Sequence, residues 1–168
     1  MTITMHSASA PVFARMLGNL LGWLDKAEAH AAARKFDVNN YLGLRLAPDM
    51  LPFTRQIQIT SDGVKGCMSR LAGVEIPKWE DTEASLDDLR ARIRKTLDFV
   101  RSVPASAFEG ADTREIVLPQ RQGEPLRMDG ESFFKHFALP NVYFHAMATY
   151  ALLRHAGVDL GKRDYLGP

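Results

Sequence analysis

Four stretches of this chain carry apolar residues at the three-and-four spacing of an α-helix, and two of them run for about 24 residues, roughly 36 Å each. A helix with one apolar stripe has to bury that stripe, and helices of this length bury it most simply against one another. The predicted fold is therefore all-α, a four-helix bundle. The first helix spans Ser9 to Arg34, with Ser9 as N-cap and Pro11 in the first turn, and its stripe is Phe13, Met16, Leu17, Leu20, Leu24, Ala27 and Ala31. Asp37 opens a short helical connector through Tyr41. The second helix follows Pro48 or Pro52 and ends at Gly73, with Phe53, Ile57, Thr60, Val64, Cys67 and Leu71 inward. Ile59 points nearly the opposite way. A non-helical linker, Val74 to Glu80, contains Pro77.

The third helix opens at Ser85, with capping-box spacing to Asp88, carries Leu86, Leu89, Ile93, Leu97 and Val100 inward, and stops at Pro104. Thr113 to Met128 alternates in strand fashion around a Gln-Gly turn region and reads as a small β-hairpin resting on the bundle. The fourth helix runs from Asp129 to Gly157, with a kink or break expected at Pro140. The long connections before the third and fourth helices permit a crossover topology.

Length and composition limit the classes of function. The 168 residues fit a single domain over 1–168, and 46% hydrophobic with 24% charged residues is ordinary for a globular protein. A net charge of +1, with basic residues dispersed among acids, gives no reason to expect nucleic acid as a partner. No apolar run reaches the ~20 residues of a membrane span, so no membrane partner is expected. The N-terminal MTITMHSASAPVF has neither a basic nor an apolar leader segment, and Cys67 is the lone cysteine, which together predict a cytoplasmic protein.

The fourth helix carries the chemistry. At about 100° per residue, Phe134, Phe137, Ala138, Asn141, His145, Ala148 and Leu152 fall on one arc, with Asn141 and His145 near its middle. A buried polar group without a partner costs roughly 1–3 kcal/mol, so these two must meet protein groups, a pocket, a metal or water. Gln56, on the edge of the second helix's stripe beside a region opened by Gly63, is the nearest inward candidate across the bundle. Gln56, Asn141 and His145 are thus the candidate catalytic or binding residues, expected to converge between helices two and four. His145 admits three readings, metal ligand, general base or structural histidine, and a satisfied core hydrogen bond carries the most weight. Cys67 reads as a small hydrophobe, Asp62 as a salt-bridge or surface residue, and His30, His136 and His155 as solvated. His6 precedes the first helix, at the mouth of a pocket or on a mobile terminus. The ending GVDLGKRDYLG has no periodicity but holds Tyr165 and Leu166, and is expected to dock on the bundle or on a second subunit.

The pattern Arg55-Gln56-x-Gln58-x-x-x-Asp62-x-x-Lys65-Gly66, then Arg70-Leu71-Ala72-Gly73-Val74, Leu139-Pro140-Asn141-x-Tyr143-Phe144-His145, and the final Gly157-Val158-x-Leu160-Gly161-Lys162-x-Asp164-Tyr165-Leu166-Gly167 resembles an uncharacterised bacterial domain-of-unknown-function family of the DinB/YfiT-like metalloenzyme superfamily. The resemblance runs from the first helix to the C-terminus. It implies a DinB-like bundle with a crossover connection, often dimeric. Metal-binding members of that superfamily use one histidine on helix two and an H-x-x-x-H pair on helix four. Here His145 alone matches a metal ligand, Asn141 stands where the other helix-four histidine would be, and Gln56 faces them from helix two.

Neutral amides are poor ligands for zinc, nickel or iron, so no tightly bound metal is expected, while a loosely held divalent ion stays compatible. By resemblance the chemistry is that of a small-molecule enzyme, by thiol transfer, isomerisation or hydrolysis. The alternative is a noncatalytic dimeric binding or stress-related bundle in which the polar cluster sets helix register. A homodimer is expected from Ile59, Met147 and Tyr150 as apolar surface off the core arcs, and a small-molecule ligand is the expected partner.

Overall fold

The computed structural model describes residues 3–120 and 122–167. Its principal helices are α1 (Met5–Arg34), α2 (Phe53–Ala72), α3 (Leu86–Ser102) and a last helical run made of α4 (Gly130–Phe133), a π-helical segment (Phe134–Ala138) and α5 (Leu139–His155). A hairpin, β1 (Glu115–Leu118) and β2 (Leu126–Asp129), precedes the last run, and a short α6 (Lys162–Leu166) follows it. Among the described residues no helix is long and apolar enough to cross a membrane.

α2 packs chiefly against α5 and α3, and α1 chiefly against α3, so the order around the bundle is α1, α3, α2, α5. Consecutive α1 and α2 therefore lie across a diagonal, and residues 35–52 make the expected crossover. That connection is laced to the start of α2: Phe53 N–H donates to Leu44 O at 2.9 Å, and Thr54 donates to Leu42 O through its backbone and its hydroxyl. Asp37 caps the 3₁₀ turn Val38–Tyr41 as the sequence implied.

The core is one apolar cluster around Phe13, Leu17, Leu20, Trp23, Leu24, Phe53, Ile57, Leu89, Ile93 and Phe133, all at most 2% exposed. Two charged clamps hold the helices from outside it. Arg90 of α3 reaches Asp25 and Glu28 of α1 at 3.0 and 2.9 Å. Arg92, whose side chain is 2% exposed, reaches Asp62 of α2 and Asp81 and Glu83 of the 73–85 linker. The Ser85 hydroxyl caps α3 by accepting from Asp88 N–H, and the Asp88 carboxylate returns to Ala84 N–H.

The hairpin pairs Glu115 with Asp129 and Ile116 with Met128, and buries Ile116 and Leu118 on the bundle. Gly130 follows it directly. A Cβ built there would lie 1.8 Å from Ala111 O, so only glycine permits this approach of chain to chain.

Two points differ from the sequence expectation. α1 starts at Met5, not Ser9: Thr4 and Ser7 form a reciprocal capping box one turn earlier, which leaves Pro11 inside the helix. Ser9 is buried and donates to Met5 O at 2.6 Å, turning a cap residue into a back-bonded helical one. At Pro140 the last helix neither breaks nor ends. The π segment just before it, closed by Leu139 N–H to Phe134 O, accommodates the proline within a continuous helical run.

The π segment also shifts the register. Phe134 and Ala138 are buried within it, and Val142, Ala146, Thr149 and Leu153 after it, whereas Phe137 is 44% exposed. A uniform 100° arc had placed Phe137, Asn141 and His145 inward. The wider turn rotates them to the edge of the buried face, where Asn141 and His145 are half-buried.

Candidate functional site

Gln56 emerges from the first turn of α2, just after Pro52 has fixed the entry of that helix. Its side chain folds back, and Nε2 donates to Leu51 O at 3.0 Å. Thr60, one turn on, donates to Gln56 O at 2.8 Å. At 2% exposure, Gln56 is held at both ends.

Across the helix pair, His145 Nδ1 lies 2.7 Å from Gln56 Oε1. Because the amide nitrogen is committed to a carbonyl, the oxygen is the atom that meets the ring, and Nδ1 must carry the hydrogen. The neutral ring therefore keeps its lone pair on Nε2. Burial pushes the His145 imidazole below its ordinary value, so the neutral form is favoured near pH 7. Phe144 meets the ring edge to face at 5.1 Å between centroids. Half-buried, pinned and neutral, His145 can accept a proton or a hydrogen bond, or donate a lone pair, at Nε2.

Asn141 does not join this pair. It lies one turn earlier on α5, against α2 at Gly63, where an added Cβ would come 3.4 Å from Asn141 Nδ2. There it lines a separate cleft of about 230 Å³ with Cys67, Arg70, Phe133 and Phe137. The three expected residues thus divide into a bonded pair, Gln56 and His145, and a neighbour one turn away. Burial holds the Cys67 thiol far above its ordinary value, which keeps it protonated, in line with its reading as a small hydrophobe.

The other singled-out residues are placed as follows. Asp62 is a structural ion-pair residue, 2.8 Å from Lys65 Nζ and 3.0 Å from Arg92. Arg55 pairs with Asp81, and Gln58 donates to Glu83 at 2.6 Å. Lys65 and Lys95 lie over Trp79, at 4.5 and 4.7 Å from the ring centroid. The helix-two motif is therefore largely a device that fastens the 73–85 linker. This agrees with the sequence reading of Asp62 as a salt-bridge residue.

His30 is not solvated. Its Nδ1 lies 2.6 Å from Tyr41 Oη, and its ring packs on Phe36 and Tyr41. His6 does not precede the first helix but lies inside α1, edge-on to Phe108 at 5.2 Å. Tyr150 is half-buried under the C-terminal segment, 5.7 Å from Tyr165 and 5.6 Å from Trp23, so it supplies no open apolar surface.

That C-terminal segment docks as expected. Tyr165 stacks on Trp23 at 5.6 Å, Trp23 Nε1 donates to Asp164 O at 2.8 Å, and Asn19 donates to Tyr165 O at 2.8 Å. Lys26 pairs with Asp164 at 2.7 Å. Two tyrosines escaped the sequence reading as site residues: Tyr143 and Tyr165 line a cleft of about 580 Å³ between α1, α5 and α6. Both lie in the quoted motifs, which was the available signal.

The residues beside His145 do not fit a three-imidazole metal centre. The donor on α2 is an amide that bonds directly to the ring at 2.7 Å, so a ligand-to-ligand contact spans the gap a shared metal would occupy. Among the described residues no group of three or more His, Cys, Asp or Glu side chains gathers as a metal site.

A family model described as Domain of unknown function (DUF1993) matches residues 5–166. A crystal structure of a DinB family member protein from Shewanella denitrificans is 39% identical, with a TM-score of 0.89, covering 98% of this chain and 92% of that one. No curated protein matches the sequence.

Proposed function

Because the chain belongs to the DUF1993 family and has a DinB-like fold, we propose that it acts as a single small-molecule domain whose working group is His145. The observation that supports this is the tether: Leu51 O holds Gln56, and Gln56 orients the ring with Nε2 unprotonated. A ring fixed in one tautomer, neutral at pH 7 and half-buried is poised as a general base or hydrogen-bond acceptor. Gln56 is then a positioning residue. Asn141, one turn away, lines the neighbouring cleft beside Gly63 and is not part of the tether.

Long-range proton–nitrogen NMR of the imidazoles tests this reading. Expected is a neutral His145 ring at pH 7 with hydrogen on Nδ1, and Nε2 perturbed by small-molecule ligands that also stabilise the protein and fail to do so in His145→Ala. A ring protonated on Nε2, or stoichiometric zinc, nickel or iron lost in His145→Ala, would overturn it.

A second reading, a noncatalytic homodimer, is favoured by one specific observation. Phe144 and Met147 of α5 are 60% and 46% exposed, and Phe137 lies on the same side of the helix run. Ile59 is half-buried on α2, the helix packed against α5. A second copy laid on this face covers those side chains. Sedimentation at tens of micromolar (a loosely chosen range, about what a moderate interface tolerates) should show a dimer that Phe144→Glu dissociates. A wild-type monomer there sinks the second reading and leaves the first intact.

A further inference from the structure

Arg70 of α2 folds back one turn along its own helix, and Nη1 donates to Gly66 O at 3.1 Å. The glycine makes room for it: a Cβ at Gly66 would come 2.6 Å from Arg70 Nη1. Held there half-buried, the guanidinium lines a cleft of about 230 Å³ together with Gly63 and with Asn141 of α5. Leu118 of β1 and the rings of Phe133 and Phe137 form apolar walls. The space lies below the usual range for drug-sized ligands and suits a smaller molecule.

Two features make it more than a gap. First, the π segment Phe134–Ala138 borders it through Phe137 and Ala138, and such segments within α-helices often mark functional sites. The wider turn is also what moves Asn141 from the buried arc to the edge of the helix, and so onto this lining. Second, the cleft holds a partly dehydrated cation. Burial pulls Arg70 below the ordinary guanidinium value, yet an arginine remains charged at neutral pH. Asp62 shares the lining, but its carboxylate is already met by Lys65 and Arg92 at 2.8 and 3.0 Å.

We propose that this cleft binds a small monocarboxylate with a compact apolar group, its carboxylate on Arg70 and the Asn141 amide and its apolar group against Phe137 and Leu118. The chemistry selects this class. The planar guanidinium fork matches a carboxylate in bidentate fashion, the amide adds an N–H donor, and the rest of the lining is largely apolar. A phosphate, with more charge to strip of water, suits the aromatic walls and the nearby Asp62 less well. Binding here does not depend on His145 being the working base, since the Gln56–His145 pair lies outside this lining.

Titration of the full chain with benzoate tests this, followed by NMR of the backbone amides and of the arginine Nε–H groups. Neutral benzamide, of the same shape, and inorganic phosphate are the comparisons. Expected is saturable binding with a dissociation constant on the order of 0.1–1 mM for a ligand of about 9 heavy atoms, at least about 5-fold weaker for benzamide. Shifts should centre on Gly63, Arg70 and Asn141. Arg70→Gln should weaken benzoate about 10-fold and Asn141→Leu about 3-fold. Gly66→Ala is the sharper variant, because its methyl group displaces the guanidinium and touches nothing else within 4 Å. Alanine also suits a helix better than glycine, so the thermal midpoint should stay within about 4 °C while benzoate binding falls about 3-fold or more. Absence of saturation, equal affinity for benzoate and benzamide, tighter binding of phosphate, shifts centred elsewhere, or undiminished binding in folded Gly66→Ala would each overturn the proposal.

Discussion

His145 Nδ1 and Gln56 Oε1 meet at 2.7 Å across α5 and α2, two residues 89 positions apart in the chain. The contact ties the most buried polar side chain at the head of α2 to the one histidine of the last helix that faces the bundle. It also gives the clearest handle on the site, because the amide cannot change its charge and the imidazole can.

Replacing Gln56 with glutamate should invert the behaviour of His145. A carboxylate in place of Oε1 favours the imidazolium, whereas burial now favours the neutral ring. The His145 titration followed by NMR should move from below the ordinary imidazole value to above it. Gln56→Leu should instead lower stability by roughly 1–3 kcal/mol, since the Leu51 carbonyl and His145 Nδ1–H both lose their partner.

Stability should decline on mild acidification. The folded His145 value lies below the unfolded one of about 6.5, so between the two the unfolded chain binds more protons. The contribution is therefore complete above pH 6.5 and is lost as pH falls toward the folded value. Denaturant melts of the wild type and His145→Asn at pH 7.5 and 5.5 check this: the variant should lose less stability over the interval. An identical loss in both would assign the slope to other groups.

Arg92→Ala should be among the most damaging substitutions outside the apolar core. It strips one partner each from Asp62, Asp81 and Glu83 around a guanidinium that is itself nearly inaccessible. About 3 kcal/mol is expected, the low end for a broken buried ion pair because Asp62 and Asp81 keep contact with water. Glu83 resists burial, but hydrogen bonds from Arg92 and Gln58 outweigh it and hold the carboxyl below its usual range. That part of the stability is present above the ordinary carboxylate value and is lost as pH falls through the lowered one. Chemical denaturation at pH 7 and pH 3 should show the wild type approaching Arg92→Ala in acid.

Gly130→Ala should cost well over 2 kcal/mol, because the backbone of Ala111 must move to admit a methyl group. The expected signature is loss of amide protection in β1 and β2 with the helices retained. A thermal midpoint unchanged within about 1 °C would show that the close approach is not required.

The helices, their inward residues, the hairpin and the docking of the tail were legible in the chain, because each rests on local periodicity or on apolar anchors such as Tyr165. Tertiary structure decided the rest. A π turn before Pro140 breaks the uniform 100° arc, and no single-residue propensity announces where a helix widens, so Phe137 turned outward and Asn141 and His145 moved to the edge of the buried face. Asp62 on α2 read from sequence as a salt-bridge or surface residue, without its partners. Only the folded positions of Arg92, Asp81 and Glu83, distant in sequence from Asp62, made it part of a clamp. The tautomer of His145 depends in the same way on a carbonyl at Leu51 that reaches it through Gln56. Local spacing specifies which face a residue prefers, while hydrogen bonds and ion pairs between distant segments are fixed by geometry that exists only after the helices have packed.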